Sequence, residues 1–420
     1  MYLPERKPEE KRFEELDSLR GLAALVVVVG HFAAMFHPGM VFGNGPAEGW
    51  ERLFSSTPLQ LLCAGHFAVC LFFILSGFVL SVHTLQPGIA PPRARQLVVD
   101  MLRRPLRLIG VVLACELISL VLWRQGWFFN QEVSQMLRND WLGLFWQGTP
   151  PENALRDITT APFFEGGRYD APLWTILLEL YGSWMVFVIA WLLAHLPSGR
   201  LLLLVPAIIA VRQLPRWLTS CGYNHPLAAA ERWHLLQGFL IGMMMAMAWH
   251  ARPRWMLSLW SSRGFRIGWT CLALFLASVP AYAPHEGPWF GLLPSLPAEL
   301  AGGHPMLGAG MLFAAVLGGL GRGWLLRPTP LMLGRLSYAI YGCHFIVQGS
   351  ISCLVYLRMT QVGHTVIAAS TASFVAMGIL TICSALLLHR AVDRMCMRAS
   401  AALGRQFASK HKIAPSTKIA

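Results

Sequence analysis

Long apolar runs recur along the whole 420-residue chain and are separated by short polar segments. A transmembrane helix needs about 20 mostly apolar residues to cross a hydrocarbon core of roughly 30 Å. The runs therefore predict an all-α polytopic membrane protein with about ten transmembrane helices. The predicted spans are residues 19–36, 59–81, 105–123, 173–194, 201–214, 233–250, 265–283, 304–326, 336–357 and 365–389. The fifth span is the shortest, and Pro206 interrupts it.

The composition excludes a water-soluble fold. Hydrophobic residues make up 55% of the chain and charged residues only 13%, whereas soluble domains carry about 25% charged residues. The formal net charge of +13 does not indicate a nucleic-acid partner, because proteins that bind nucleic acids are polar and carry their basic residues on soluble faces. A lipid bilayer is the expected partner. The nine cysteines form no C-x-x-C pair, so we predict neither a disulfide framework nor a metal site.

The distribution of Lys and Arg predicts the orientation of the chain. With the N-terminus in the cytoplasm and ten crossings, 25 of the 34 basic residues lie in cytoplasmic segments and 9 in outer segments. We therefore predict cytoplasmic N- and C-termini in a cytoplasmic (inner) membrane. Residues 1–18 form a cytoplasmic N-terminal segment, residues 19–389 the membrane domain, and residues 390–420 a basic cytoplasmic tail that we expect to be disordered.

Ionisable residues inside spans are rare and costly, so each is a candidate functional residue. Arg20 and His31 are eleven residues apart in the first span. That spacing places both on one helix face, about 16 Å apart along the axis. Arg20 then lies at the cytoplasmic rim and His31 towards the outer side. The alternative for His31 is a histidine that only packs between helices.

Glu179 is the predicted partner of His31. It follows the start of the fourth span by about six residues, or roughly 9 Å, which is a depth comparable to that of His31. A buried carboxylate that orients an imidazole makes a general base. The alternative is a structural pair, which would be costly to desolvate. His66 reaches a similar depth and is a second choice, whereas Glu116 has no obvious partner.

Arg103, Arg104 and Arg107 open the third span and, with Arg20, can form a guanidinium cluster suited to phosphate. Arginines at a cytoplasmic helix end are equally expected from topology alone. The outer connection, about 124–172, holds Trp127, several other tryptophans and several acids. It can form a lid or acceptor surface, or an ordinary loop on the lipid headgroups.

Five motifs together resemble the acyltransferase-3 family of integral membrane O-acyltransferases. They are LDSLRGLAALVVVVGHF (residues 16–32), FFILSGFVLS (72–81), LRRPLRL (102–108), PLWTILLELYGSW (172–184) and LGRLSYAIYGCHF (333–345). They follow one another in the order of the family. The chain departs from it where many members have a proline after the arginines, and in the residues flanking Glu179.

The resemblance implies ten core helices and transfer of an acyl group, often acetyl, from cytoplasmic acyl-coenzyme A to a hydroxyl, commonly of a carbohydrate at the outer face. It assigns acyl transfer to His31 with Arg20, coenzyme A binding to Arg104 and Arg107, and the acidic position of the fourth span to Glu179. The donor is a substrate, and no permanently bound cofactor is expected.

Two other functions stay open at this point. A transporter or flippase of a glycan intermediate can use His31 and Glu179 as a proton relay. Against it, the sequence shows no inverted repeat and no pair of broken helices. A receptor or scaffold without turnover would leave the matched depths of these two residues unexplained.

Overall fold

A computed structural model describes residues 13–43, 49–164, 168–196, 234–252, 254–282, 287–291, 293–294 and 303–409. The described part is helical and contains no strand, as predicted. The α-helices are α1 Glu14–Phe36, α2 Pro38–Phe42, α3 Gly49–Ser55, α4 Gly65–Ser81, α5 Ala94–Arg124, α6 Asn130–Leu137, α7 Asp140–Gly143, α8 Ala154–Phe164, α9 Trp174–Ala194, α10 Gln237–Ala251, α11 Arg254–Ser261, α12 Arg263–Ala277, α13 Gly287–Phe290, α14 Gly303–Leu317, α15 Arg322–Leu325, α16 Pro328–Val347, α17 Cys353–Gln361, α18 Val366–Leu388 and α19 Arg394–Ser409.

Nine of the ten predicted spans coincide with helices, while the fifth, residues 201–214, lies outside the described residues. Within the part of the chain that the structure describes, five helical segments are long and apolar enough to cross a membrane. They are Glu14–Phe36, Ala94–Arg124, Ala171–Ala194, Pro328–Gln361 and Val366–Phe407. The helices α4, α10, α12 and α14 have 15 to 17 residues. The number of crossings and their orientation stay predictions.

Helix α1 lies at the centre of the bundle, between α4 and α16. Small residues allow the close approach of α1 and α16. A Cβ atom on Gly21 would collide with the backbone of Leu333 and Gly334, and Gly334 approaches the backbone of Asp17 in the same way. Close packing through small residues is the usual means by which membrane helices associate. The packing fixes the positions of the side chains on α1 relative to those on α16.

The bundle has two ends, which we name from α1. The terminal end is where α1 begins, near Glu14. The loop end is where α1 finishes at Phe36, against α2, a 3₁₀ turn and α7. The Asn139 side chain donates hydrogen bonds to the carbonyls of Ala34 (2.7 Å) and Met35 (2.8 Å). These bonds satisfy two unpaired carbonyls at the end of α1 and attach the 124–172 connection to it.

The C-terminal segment differs from the prediction of a disordered tail from residue 390. Helix α18 continues through a π-helical turn, His389–Asp393, into α19. Helix α5 begins at Ala94, well before the predicted span, and its first half offers a surface to α19. Ser400 Oγ donates to the carbonyl of Arg103 at 3.1 Å, and Arg103 Nε donates to the carbonyl of Ser400 at 3.1 Å. Residues 410–420 lie outside the described part.

Candidate active site

A cavity of about 480 Å³ opens among α1, α4, α5, α9 and α16, and reaches from the terminal end towards the middle of the bundle. Its lining combines apolar side chains with cations. The cationic side chains are Arg20, Arg104, Arg107 and Arg335, and His389 lies beside them. The volume is in the range of small-molecule sites, and the lining is suited to an anionic ligand with an apolar arm.

Glu179 lies inside this cavity and is bonded to Arg104. Arg104 Nη2 donates to Glu179 Oε1 and its Nε donates to Ser183 Oγ at 2.7 Å. Ser76 Oγ donates to the same Glu179 oxygen at 2.8 Å. The side chains of Arg104 and Glu179 are 18% and 13% exposed. The predicted hydrogen bond between Glu179 and His31 is therefore wrong, because the carboxylate holds Arg104 and Ser76 instead.

The physical reason is the register of α9 against α16. The hydroxyls of Thr175 and Tyr341 are 2.7 Å apart, which fixes one point on both helices. Glu179 lies one turn from Thr175 towards the terminal end, and His344 lies nearly one turn from Tyr341 towards the loop end. Seven residues at 1.5 Å each separate the two levels by about 10 Å. Counting depth from a predicted span boundary did not resolve this difference.

His31 is hydrogen-bonded to His344. His31 Nδ1 lies 2.9 Å from His344 Nε2, and His344 Nδ1 lies 2.8 Å from the carbonyl of Tyr341. A carbonyl only accepts, so His344 Nδ1 carries the proton and its Nε2 is the acceptor in the neutral ring. His31 Nδ1 is then the donor, which leaves the lone pair on His31 Nε2. The arrangement holds His31 in the tautomer of a base.

Aromatic rings surround this histidine pair. The rings of His31 and Trp141 are nearly parallel, with centroids 6.3 Å apart, and Phe345 approaches the His31 ring edge-on at 5.3 Å. Trp141 belongs to α7 in the connection, so this part of the connection packs against the site. His344 was assigned neither a partner nor a role from the sequence. The motif that contains it, residues 333–345, was the available signal.

The cavity and the histidine pair meet at Tyr341. This residue lines the cavity, and its hydroxyl also lies 3.1 Å from the carbonyl of Pro172. Its ring centroid is 5.8 Å from that of His344. A ligand that enters from the terminal end and reaches Tyr341 is therefore within one helical turn of His344, which is hydrogen-bonded to His31.

The arginines predicted to form a guanidinium cluster have different partners in the structure. Arg20 and Arg107 both line the cavity, with Arg20 paired to Asp17 at 3.3 Å and Arg107 to Asp393. Asp393 is 1% exposed and also accepts from His389 Nδ1 at 2.7 Å. His389 and Asp393 belong to the π-helical turn, and Asp393 falls in the segment predicted as a tail. They hold Arg107 at the cavity.

Arg103 was expected to bind the donor and Arg335 was not, but of these two only Arg335 lines the cavity. Arg103 does not line the cavity, because it bonds to Ser400 and to Asp100 (3.4 Å) and attaches α19 to α5. The prediction that it binds the donor has no support in this geometry. Arg335, which was counted only for topology, lines the cavity and forms no ion pair within the described ranges. It is a cation that a bound anion can engage without displacing a carboxylate.

Glu116 and His66 do not line the cavity. Glu116 accepts hydrogen bonds from the backbone amides of Tyr169 (2.8 Å) and Asp170 (3.2 Å). It therefore fixes the end of the 124–172 connection onto α5, and the expectation that it has no partner is wrong. The His66 ring packs against Tyr282 with centroids 6.1 Å apart. Within the described ranges, no group of three or more His, Cys, Asp or Glu residues is arranged to hold a metal ion.

Comparisons with known proteins identify the family. Searches among curated proteins and among solved structures gave no significant match. A family model described as an acyltransferase domain, Acyl_transf_3, matches residues 13–390. This range includes the histidine pair and every cavity-lining residue except Met397. The match covers most of the chain and confirms the resemblance of its motifs: the chain belongs to the acyltransferase-3 family and is a membrane acyltransferase.

Proposed function

We propose that this protein transfers an acyl group, most simply acetyl, from acyl-coenzyme A to a hydroxyl of a carbohydrate or glycoside. The observation that carries the proposal is the adjacency of an arginine-lined cavity to an oriented histidine. The cavity extends to Tyr341, and His344 and His31 follow within one turn. An anionic donor can enter from one end of the bundle while an acceptor approaches His31 from the other.

The cavity is suited to coenzyme A in both charge and shape. Guanidinium groups bind phosphate through paired hydrogen bonds, and Arg107 and Arg335 lie at the terminal end, beside His389 and Asp17. Farther in, Val69, Phe72 and Phe73 provide an apolar wall along which a pantetheine arm can extend. The thioester would then lie near Tyr341. The donor and its acyl length are parts of the proposal.

His31 acts as the general base. Its Nε2 lone pair removes the proton from the acceptor hydroxyl while the hydroxyl oxygen attacks the thioester carbonyl carbon. The new C–O bond forms as the C–S bond breaks, and the proton held on His31 passes to the departing sulfur. His344 orients the ring by accepting the Nδ1 proton. Glu179, which was expected to orient His31, instead positions Arg104 in the donor cavity.

The orientation follows from the charges. Arg20, Arg104, Arg107 and Arg335 all face the cavity at the terminal end, the end to which the charge distribution assigns the cytoplasm. We therefore place the donor site at the cytoplasmic face of the inner membrane and the acceptor at the outer face. A transporter with a proton relay would need exchange between His31 and Glu179. Glu179 lies about 10 Å along the bundle from His344, the partner of His31, and this separation favours acyl transfer.

The test is an assay of the full-length protein purified into lipid nanodiscs. Acetyl-coenzyme A labelled in the acetyl group is supplied with a panel of neutral methyl glycosides, and free coenzyme A and labelled glycoside are measured. We expect release of coenzyme A that depends on the glycoside and is lost in His31→Ala. The exposed His364 provides the matched control, and His364→Ala should keep the activity. Absence of thioester cleavage with every acceptor would contradict the proposal.

A further inference from the structure

A second cavity, of about 260 Å³, lies at the loop end and takes no part in the chemistry described above. Four aromatic side chains line it, with one amide and one guanidinium group beside them. These residues are Trp123, Phe145, Trp146, Tyr169, Gln147 and Arg168. All of them belong to the end of α5 or to the connection that follows it. The connection therefore forms a cavity that the transfer mechanism leaves without an occupant.

Trp146 is held in this wall by a strained backbone. Its φ angle is +48°, a conformation that costs energy for a residue with a large side chain. The indole N–H donates to Ser119 Oγ and to the carbonyl of Tyr169, both at 2.9 Å. The ring stacks on Phe128 with centroids 3.9 Å apart. Gly349 leaves room for the ring, since a Cβ there would collide with it.

Strain that is compensated by several contacts is typical of a functional position. Here the compensation fixes the plane of one aromatic ring at the cavity wall. A fixed ring loses little entropy when a ligand stacks on it. The wall is therefore preorganised for binding.

The Phe345 ring contacts both the wall of this cavity and the His31 ring. The Phe345 ring centroid lies 4.9 Å from that of Phe145 and 5.3 Å from that of Trp146. It also lies 5.3 Å from the His31 ring. A ligand seated in the cavity would contact Phe145 and Trp146, and these two rings contact Phe345 in turn.

The lining indicates the chemistry of the ligand. Aromatic faces carry partial negative charge and attract the weakly positive C–H face of a pyranose ring, while Gln147 and Arg168 offer donors to its hydroxyls. Arg168 is paired with Asp157 at 3.4 Å, and Asp157 also accepts from the Tyr169 hydroxyl at 3.1 Å. This compensation of the cation favours a neutral sugar over an anionic one.

The volume limits the ligand to a small group. Sites for drug-sized ligands occupy about 300–1,000 Å³, and this cavity is slightly smaller. We propose that it binds one neutral pyranose ring of the acceptor and presents a hydroxyl to His31 past Phe345. The effect of this site on turnover rests on the proposed acyl transfer, whereas sugar binding at this cavity can be measured without turnover.

The experiment measures sugar binding and transfer separately. Saturation-transfer-difference NMR on the full-length protein in nanodiscs uses methyl β-glucopyranoside and methyl β-galactopyranoside as probes, with sorbitol as a polyol that lacks the ring. The variant is Trp123→Leu. Its matched control is Trp127→Leu, because Trp127 belongs to the same connection, is 52% exposed and does not line the cavity.

We expect saturation transfer to a pyranoside but not to sorbitol, a loss of at least fivefold in Trp123→Leu, and no change in Trp127→Leu. In the transfer assay, Trp123→Leu should raise KM for the glycoside at least tenfold and leave KM for the thioester unchanged. Equal binding by both variants, or wild-type binding of sorbitol as strong as that of the pyranosides, would overturn the inference. Sugar binding lost in Trp123→Leu without any thioester cleavage would support the site and contradict the proposed reaction.

Discussion

His31 Nδ1 and His344 Nε2 are 2.9 Å apart, and the proton on His344 Nδ1 is held by the carbonyl of Tyr341 at 2.8 Å. The three groups form a directed chain from a backbone carbonyl to the base. An imidazole in the orienting position, in place of a carboxylate, keeps the site uncharged before the donor arrives. It also stabilises an imidazolium less than a carboxylate would, so the general base that we propose would act mainly by position.

The first prediction concerns His344. His344→Ala should lower kcat about 10²-fold, because His31 loses the acceptor that fixes its tautomer, and general-base contributions are about 10² to 10⁴. KM for the thioester should change less than twofold. His344→Gln, whose amide oxygen can accept from His31, should recover part of kcat. Equal kcat values for His344→Ala and His344→Gln would assign His344 a packing role only.

The site shows which relationships a sequence can provide. The common face of Arg20 and His31 follows from helix geometry alone, and the acid in the fourth-span motif was placed in the right helix. The partner of Glu179 was predicted incorrectly, because the depth of Glu179 depends on the axial register of α9 against α16. That register is fixed by the contact of Thr175 with Tyr341, and neither residue has a sequence pattern that reveals it.

The fold shows the same limit. Nine of the ten apolar runs coincide with helices, because an apolar segment in lipid must satisfy its backbone hydrogen bonds internally and therefore forms a helix. The helix α19 was missed because it depends on a partner. Its polar residues contact the first half of α5, where Ser400 bonds to Arg103. The composition of this segment, taken alone, resembles that of a disordered tail. Packing of Trp141 on His31 was missed for the same reason.

The second prediction concerns the pair of Arg104 and Glu179. Glu179→Gln should raise KM for the donor several-fold and leave kcat within about threefold, because the residue places Arg104 and does not contact His31. Removing one member of a buried pair costs about 3–5 kcal/mol, and less here because both side chains are partly exposed. A lower melting temperature should therefore accompany the change in KM. A loss confined to kcat would instead support the predicted role of Glu179 as the carboxylate that orients His31.

The third prediction distinguishes Arg335 from topological arginines. Arg335→Ala should weaken binding of coenzyme A about tenfold, because this cation faces the cavity without an acidic partner among the described residues. Arg327→Ala is the matched control, since Arg327 is exposed at the same end and does not line the cavity. Isothermal titration at two salt concentrations measures both. Equal affinities of the two variants would show that Arg335 serves orientation alone.

The fourth prediction is a pH dependence at Asp170, in the connection. Asp170 is fully buried, and neither carboxylate oxygen has a hydrogen-bond partner within the described residues. Burial, and then the charge of Glu116, raise its pKa well above the usual value. The folded state therefore holds a proton that the unfolded state releases near pH 4, so this carboxyl makes stability fall as the pH rises above about 4. Asp170→Asn should flatten the decrease in melting temperature between pH 5 and pH 8, whereas Asp140→Asn, at an exposed site of the same connection, should not. Parallel curves for the wild type and Asp170→Asn would show that Asp170 is ionised in the folded protein.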